Sequence, residues 1–71
     1  MFQIHVQHPL DDDWEARDVQ LRNIAGRKWD HSWADRTTRY LSWTVATFAE
    51  AKLWQRTLAG VIGTMVTVRE Q

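Results

Sequence analysis

Tyr40-Leu41-Ser42-Trp43-Thr44-Val45-Ala46 runs directly into Thr47-Phe48-Ala49-Glu50. The first stretch is rich in aromatic and β-branched residues and puts Leu41, Trp43 and Val45 on one side, which predicts a strand with one buried face. The second is a capping box, in which Thr47 accepts from the backbone and Glu50 reaches back, and it predicts a helix start. That helix carries Phe48, Ala51, Trp54 and Leu58 on one stripe, extending to Ile62, and stops near Gly60 or Gly63. Beyond it Thr64 to Arg69 alternates as a strand, with Val66 and Val68 inward and Met65, Thr67 and Arg69 outward.

Working upstream, Asp35-Arg36-Thr37-Thr38 reads as a hairpin loop. Arg27 to Asp35 reads as an edge strand, with Trp29, His31 and Trp33 inward and Lys28, Asp30 and Ser32 outward, although few of these residues favour strands. Before it, Asp11-Asp12-Asp13-Trp14-Glu15 predicts a helix with Asp12 as N-cap and acids beside the positive end of the helix dipole. The helix runs to about Ala25, where Gly26 stops it, with Trp14, Leu21, Ile24 and Ala25 on one side. Asp18 and Arg22 are placed to pair on its surface, four residues apart. Phe2-Gln3-Ile4-His5-Val6-Gln7-His8 alternates as a strand with Phe2, Ile4 and Val6 inward, and Pro9 ends its ladder.

The order is strand, helix, strand, strand, helix, strand. With short connections and right-handed crossovers it predicts an α+β fold, a four-stranded antiparallel sheet of order 4-1-3-2 with both helices on one face. This βαββαβ arrangement resembles the ferredoxin-like sandwich over the whole chain. The resemblance is one of fold and implies no function, since that fold hosts many.

A chain of 71 residues has apolar surface for one core, so residues 1–71 read as a single domain. The absence of cysteine excludes disulfides, a Cys-based zinc site and a Cys nucleophile. Nine basic residues balance nine acidic ones, which argues against the phosphate backbone as main partner. The charge is still uneven, with acids gathered in residues 1–20 and bases in residues 21–45. Met1 to Leu10 lacks the features of a signal peptide and no stretch approaches a membrane span of roughly 20 apolar residues, so a cytoplasmic domain without membrane contact is expected.

Alternation leaves one sheet face uncovered, with Gln3, His5 and Gln7, Lys28, Asp30 and Ser32, Tyr40, Ser42 and Thr44, and Met65, Thr67 and Arg69 on it. A solvated face is one reading. A binding or dimerisation surface using Tyr40, His5 and Arg69 is the other. Arg27, Lys28, Arg36 and Arg39 flank the hairpin and form either a solvated tip or a patch for an anionic partner. Trp14, Trp43 and Trp54 read as core, whereas Trp29 and Trp33 on the edge strand are divided between core and interface anchor.

Enzymatic signals are absent. His5 and His8 fall on opposite strand faces and His31 opposes His5, so no metal is expected. In Asp30-His31-Ser32 the His points away from both neighbours, which denies a hydrolytic triad. No glycine-rich phosphate loop occurs and no cofactor is implied. The expected function is a small non-enzymatic protein-binding or regulatory module that docks, as a homodimer, through a sheet face or an unpaired edge. The alternatives are a single-stranded nucleic-acid binder using the open face and the basic hairpin, and a small-ligand sensor.

Overall fold

In the computed structural model, which describes residues 1–71, β1 (Phe2–Pro9), α1 (Trp14–Ala25), β2 (His31–Ala34), β3 (Thr38–Val45), α2 (Phe48–Leu58) and β4 (Met65–Glu70) follow in that order. All strand pairs are antiparallel and the sheet order is β2-β3-β1-β4, the ferredoxin-like arrangement expected. No helix is long and apolar enough to cross a membrane. The register sets Ile4 opposite Trp43 and Val68, and Val6 opposite Leu41 and Val66. Those side chains meet Leu21 of α1 and Ala51 and Leu58 of α2 in the buried core. Burying a Val, Leu or Ile side chain stabilises by about 1.5–3 kcal/mol, so the few fully enclosed residues carry most of the apolar stabilisation.

Both helix boundaries have visible causes. Gly26 takes the left-handed conformation at φ 79° and donates its N–H to the Arg22 carbonyl at 3.0 Å, closing α1. The N-cap is Asp13 rather than Asp12, and no side chain caps it. Its N–H is instead taken by Asp11 Oδ1 at 3.0 Å, a local turn that starts the helix one residue later. At α2 the first half of the capping box forms, Glu50 N–H donating to Thr47 Oγ1 at 3.2 Å, while the Glu50 carboxylate accepts from the Thr47 hydroxyl at 3.2 Å rather than from its backbone N–H.

The apolar stripes are narrower than the spacing implied. Phe48 is exposed, Ile24 stands at the rim beside Leu53, and Ile62, 92% exposed, lies beyond the end of α2.

The edge strand departs most. It is only His31–Ala34, and residues 27–30 are irregular. Two side chains explain this. Asp30 Oδ2 accepts the Thr44 N–H at 2.8 Å and Arg27 Nη2 donates to the Thr44 carbonyl at 2.7 Å, so both groups that β3 would offer a longer β2 are already satisfied. The interruption resets the alternation. His31 pairs with Ser42 and Trp33 with Tyr40, so both lie on the open face and Ser32 points to the helix side, the reverse of the sequence expectation. Trp29, outside the strand, turns towards the helices and meets Trp43 edge-on at 6.4 Å between centroids.

Candidate functional site

The sheet face away from the helices follows from the register. β1 contributes Gln3, His5 and Gln7, and β3 contributes Tyr40, Ser42 and Thr44. β4 adds Met65, Thr67 and Arg69, and β2 adds His31 and Trp33. None of these is Asp, Glu or Lys.

At its centre three rings converge. Trp33 stacks on Tyr40 with 5.2 Å between centroids and an interplanar angle of 11°. His5 joins them at 5.4 Å from Trp33 and 5.7 Å from Tyr40. β3 separates β1 from β2, so His5 and Trp33 lean over it from either side. Beneath them Ser42 is 1% exposed and its Oγ has no hydrogen-bond partner, although its parity is that of the solvent side. Trp33 remains 44% exposed.

Electrostatics keep this cluster uncharged. Partial burial, reinforced by the Arg69 guanidinium, holds the His5 imidazole below its usual range. The Tyr40 hydroxyl is tied to Asp35 Oδ2 at 3.0 Å at the hairpin rim. That carboxylate also accepts the N–H groups of Thr37 and Thr38, and these three donors hold it below the ordinary Asp range. The Tyr40 ring is therefore fixed at both ends, by a stack and by a hydrogen bond.

Of the residues singled out in the sequence, His5, Trp33 and Tyr40 come together here with Arg69 on the same face, and the others do not. Trp29 lies half-buried on the helix side, so the two tryptophans expected to share one edge face opposite ways. Arg39 also faces the helices. Its guanidinium lies over Trp14 at 5.3 Å and Trp29 at 5.6 Å, and its Nε donates to Asp18 Oδ2 at 3.0 Å. Arg27 is held by Asp30 Oδ1 at 2.9 Å, the Thr44 carbonyl and the Trp54 ring. Asp30 stays ionised in return: burial opposes this, but the Thr44 N–H and Arg27 outweigh it and lower its pKa.

Lys28 lies over Trp29 near the Thr44 end of β3, whereas Arg36 stands exposed at the hairpin beyond Thr38, without a partner. Six strand residues separate those ends, about 20 Å. The basic cluster is thus dispersed, and two of its four members are fastened into the fold.

One constellation went unread in the sequence. His8, whose side chain is fully enclosed, bonds through Nε2 to Asp18 Oδ1 at 2.7 Å, and Asp18 in turn holds Arg39. Arg17 Nε donates to His8 Nδ1 at 3.2 Å while its Nη2 donates to the Pro9 carbonyl and reaches Asp11. The Arg17 Nε–H is aimed at Nδ1, an arrangement in which that nitrogen accepts and Nε2 donates to Asp18. Asp18 therefore does not pair with Arg22; it ties α1 to β1 and β3. The legible signal was parity, because His8 continues the inward series Phe2, Ile4 and Val6, and a buried polar group needs a partner.

No group of three or more His, Asp or Glu residues is placed to hold a metal. Set against known proteins, the chain matches no family model, no curated protein and no solved structure.

Proposed function

We propose that this protein is a docking module that binds another protein through its open sheet face. The observation that carries the reading is the composition of that face: a half-exposed Trp33 stacked on Tyr40, with Arg69 nearby, and no Asp, Glu or Lys among its strand positions. A face that only meets water has no reason to exclude the most soluble side chains. Interface cores exclude them and favour Trp, Tyr and Arg.

Pre-organisation supports the same reading. The rings are already fixed by stacking and by the Tyr40–Asp35 bond, so a partner orders few rotamers on binding. Arg69 is the fixed charge of the face, which suits a neutral or weakly acidic partner segment. Docking rather than catalysis is favoured because the one His–Asp pair is sealed from substrate. A cytoplasmic location belongs to the same proposal, resting on a fold built without cysteine.

The test is partner capture by the wild-type chain, by Trp33→Ala and by Arg56→Ala, whose side chain is exposed on α2. Wild type and Arg56→Ala are expected to recover the same protein and Trp33→Ala to lose it. Equal recovery by all three removes the open face from the reading. Amide shifts confined to His5, Tyr40 and Thr67 on adding single-stranded oligonucleotide at low salt would replace the protein partner with nucleic acid.

A further inference from the structure

We infer that the outer edge of β2 pairs with the same edge of a second copy, joining two sheets into one of eight strands. Leu10 N–H donates to the Thr37 carbonyl at 2.9 Å and Asp35 N–H to the Thr38 carbonyl at 3.0 Å, which continue the β1–β3 and β2–β3 registers. In an antiparallel ladder alternate residues direct both backbone groups to the same neighbour. His31 and Trp33 therefore direct theirs to β3, and exposed Ser32 and Ala34 direct theirs away from the sheet.

The other edge of the sheet is defended. Gln55 Nε2 of α2 donates to the Val66 carbonyl at 3.1 Å, and β4 ends in the charged pair Arg69-Glu70. β2 reads His-Ser-Trp-Ala, with no lysine, proline or acid, and every residue of it is exposed. It has none of these protections except shortness.

The occupant follows from self-complementarity. A two-fold axis at Trp33 sets Ser32 opposite Ala34 of the second copy and Ala34 opposite its Ser32, and all four outward N–H groups find carbonyls. The same register sets His31 opposite Asp35 of the second copy and brings its Arg36, the one guanidinium at the hairpin that no acid in its own chain holds, towards the Asp30 end of the first, where the carboxylate already serves Arg27 and the Thr44 N–H. Moving the axis by one residue towards Ser32 uses only half the bonds. Moving it towards Ala34 also halves them and places Trp33 opposite Asp35. Small side chains at Ser32 and Ala34 leave room on the helix side, while the two Trp33 rings stand side by side on the open face.

A ladder this short buries less than the roughly 1,200 Å² of a stable interface, so the dimer forms with concentration. The inference stands apart from the docking of another protein, because the open face remains uncovered in the paired state.

Sedimentation and light scattering from micromolar to millimolar concentration are expected to show a monomer–dimer equilibrium. Ala34→Pro removes an outward N–H, which an edge strand tolerates, and is expected to stay monomeric with the wild-type circular dichroism and with partner capture intact. Arg36→Glu, which leaves the ladder untouched, is expected to weaken dimerisation about tenfold, because a second acid is then brought towards Asp30 at both symmetric ends, while Arg36→Lys retains it.

The chain lacks cysteine, so Trp33→Cys supplies a single thiol. Opposed positions of this kind lie about 4.5 Å apart at Cα, within disulfide range, and mild oxidation is expected to link the dimer there. Thr67→Cys on β4 is expected to stay unlinked. A wild type that remains monomeric throughout, an Ala34→Pro or Arg36→Glu variant that dimerises undiminished, or linkage through Thr67→Cys in place of Trp33→Cys overturns the inference.

Discussion

The two faces of the sheet handle polarity in opposite ways. Towards the helices, charge is brought inside and matched: His8, Asp18, Arg39 and Arg17 are joined in one chain of bonds, and the Trp43 indole donates to the Arg27 carbonyl at 3.1 Å. On the open side Arg69 is the one fixed charge, and neutral rings roof a serine hydroxyl with no partner. Bases near a hairpin are thus poor evidence of an anionic partner when the fold itself consumes them. On the docking proposal, what is left for a partner is the aromatic face, where Trp33 remains 44% exposed.

The sharpest way to break the contrast is Asp18→Ala. It strands an enclosed imidazole and a guanidinium that is 16% exposed, and losing one partner of a buried ionic network costs about 3–5 kcal/mol. A chain this small has a margin of that order, so we expect urea unfolding to show most of the stability gone. A loss below about 1 kcal/mol would mean the helix-side charges are as dispensable as surface pairs.

Arg27→Ala comes next. It frees the Thr44 carbonyl and leaves Asp30 without its cation, for an expected loss of about 1–2 kcal/mol at this partly exposed position. Hydrogen exchange at Thr44 should rise with it, because Asp30 holds that amide. A loss of stability without faster exchange there would mean the side chains do not stand in for a longer strand.

This position also marks where the sequence stops being legible. β1, β3, α2 and β4 follow from alternation and a capping box because backbone and side-chain periods agree there, and the strand order follows from them. At Asp30 a side chain takes the place of a strand residue, the period restarts, and Trp33 and His31 emerge on the other face. Parity alone placed His5 and Tyr40 on the open face. It could not place Trp33, nor show that Asp18 turns inward to His8, because helical spacing to Arg22 offers an equally ordinary surface pair.

A smaller effect is expected from pH. His5 has its folded pKa below the ordinary 6.5, through partial burial and then Arg69, so the folded state favours the neutral ring. The unfolded chain binds that proton more readily. Stability from this group is therefore complete above about pH 6.5 and declines as pH falls through the folded value. Partner affinity should fall over the same window, since a cation then enters the ring cluster beside Arg69. His5→Phe is expected to flatten both profiles, and an unchanged slope in that variant assigns the titration elsewhere.

The smallest change in stability is expected where the change in binding is greatest. Trp33 is 44% exposed and sits on an edge strand that meets only β3, so Trp33→Ala removes a stack on Tyr40 and a ring of which nearly half is already in water. An aromatic pair adds about 0.5–1.5 kcal/mol beyond area, and we expect unfolding free energy to drop by about 1 kcal/mol. Partner capture should nevertheless disappear. That dissociation of stability from binding separates an anchor from a core residue: a loss near that of Asp18→Ala would make Trp33 a structural ring and reduce the open face to a second wall of the core.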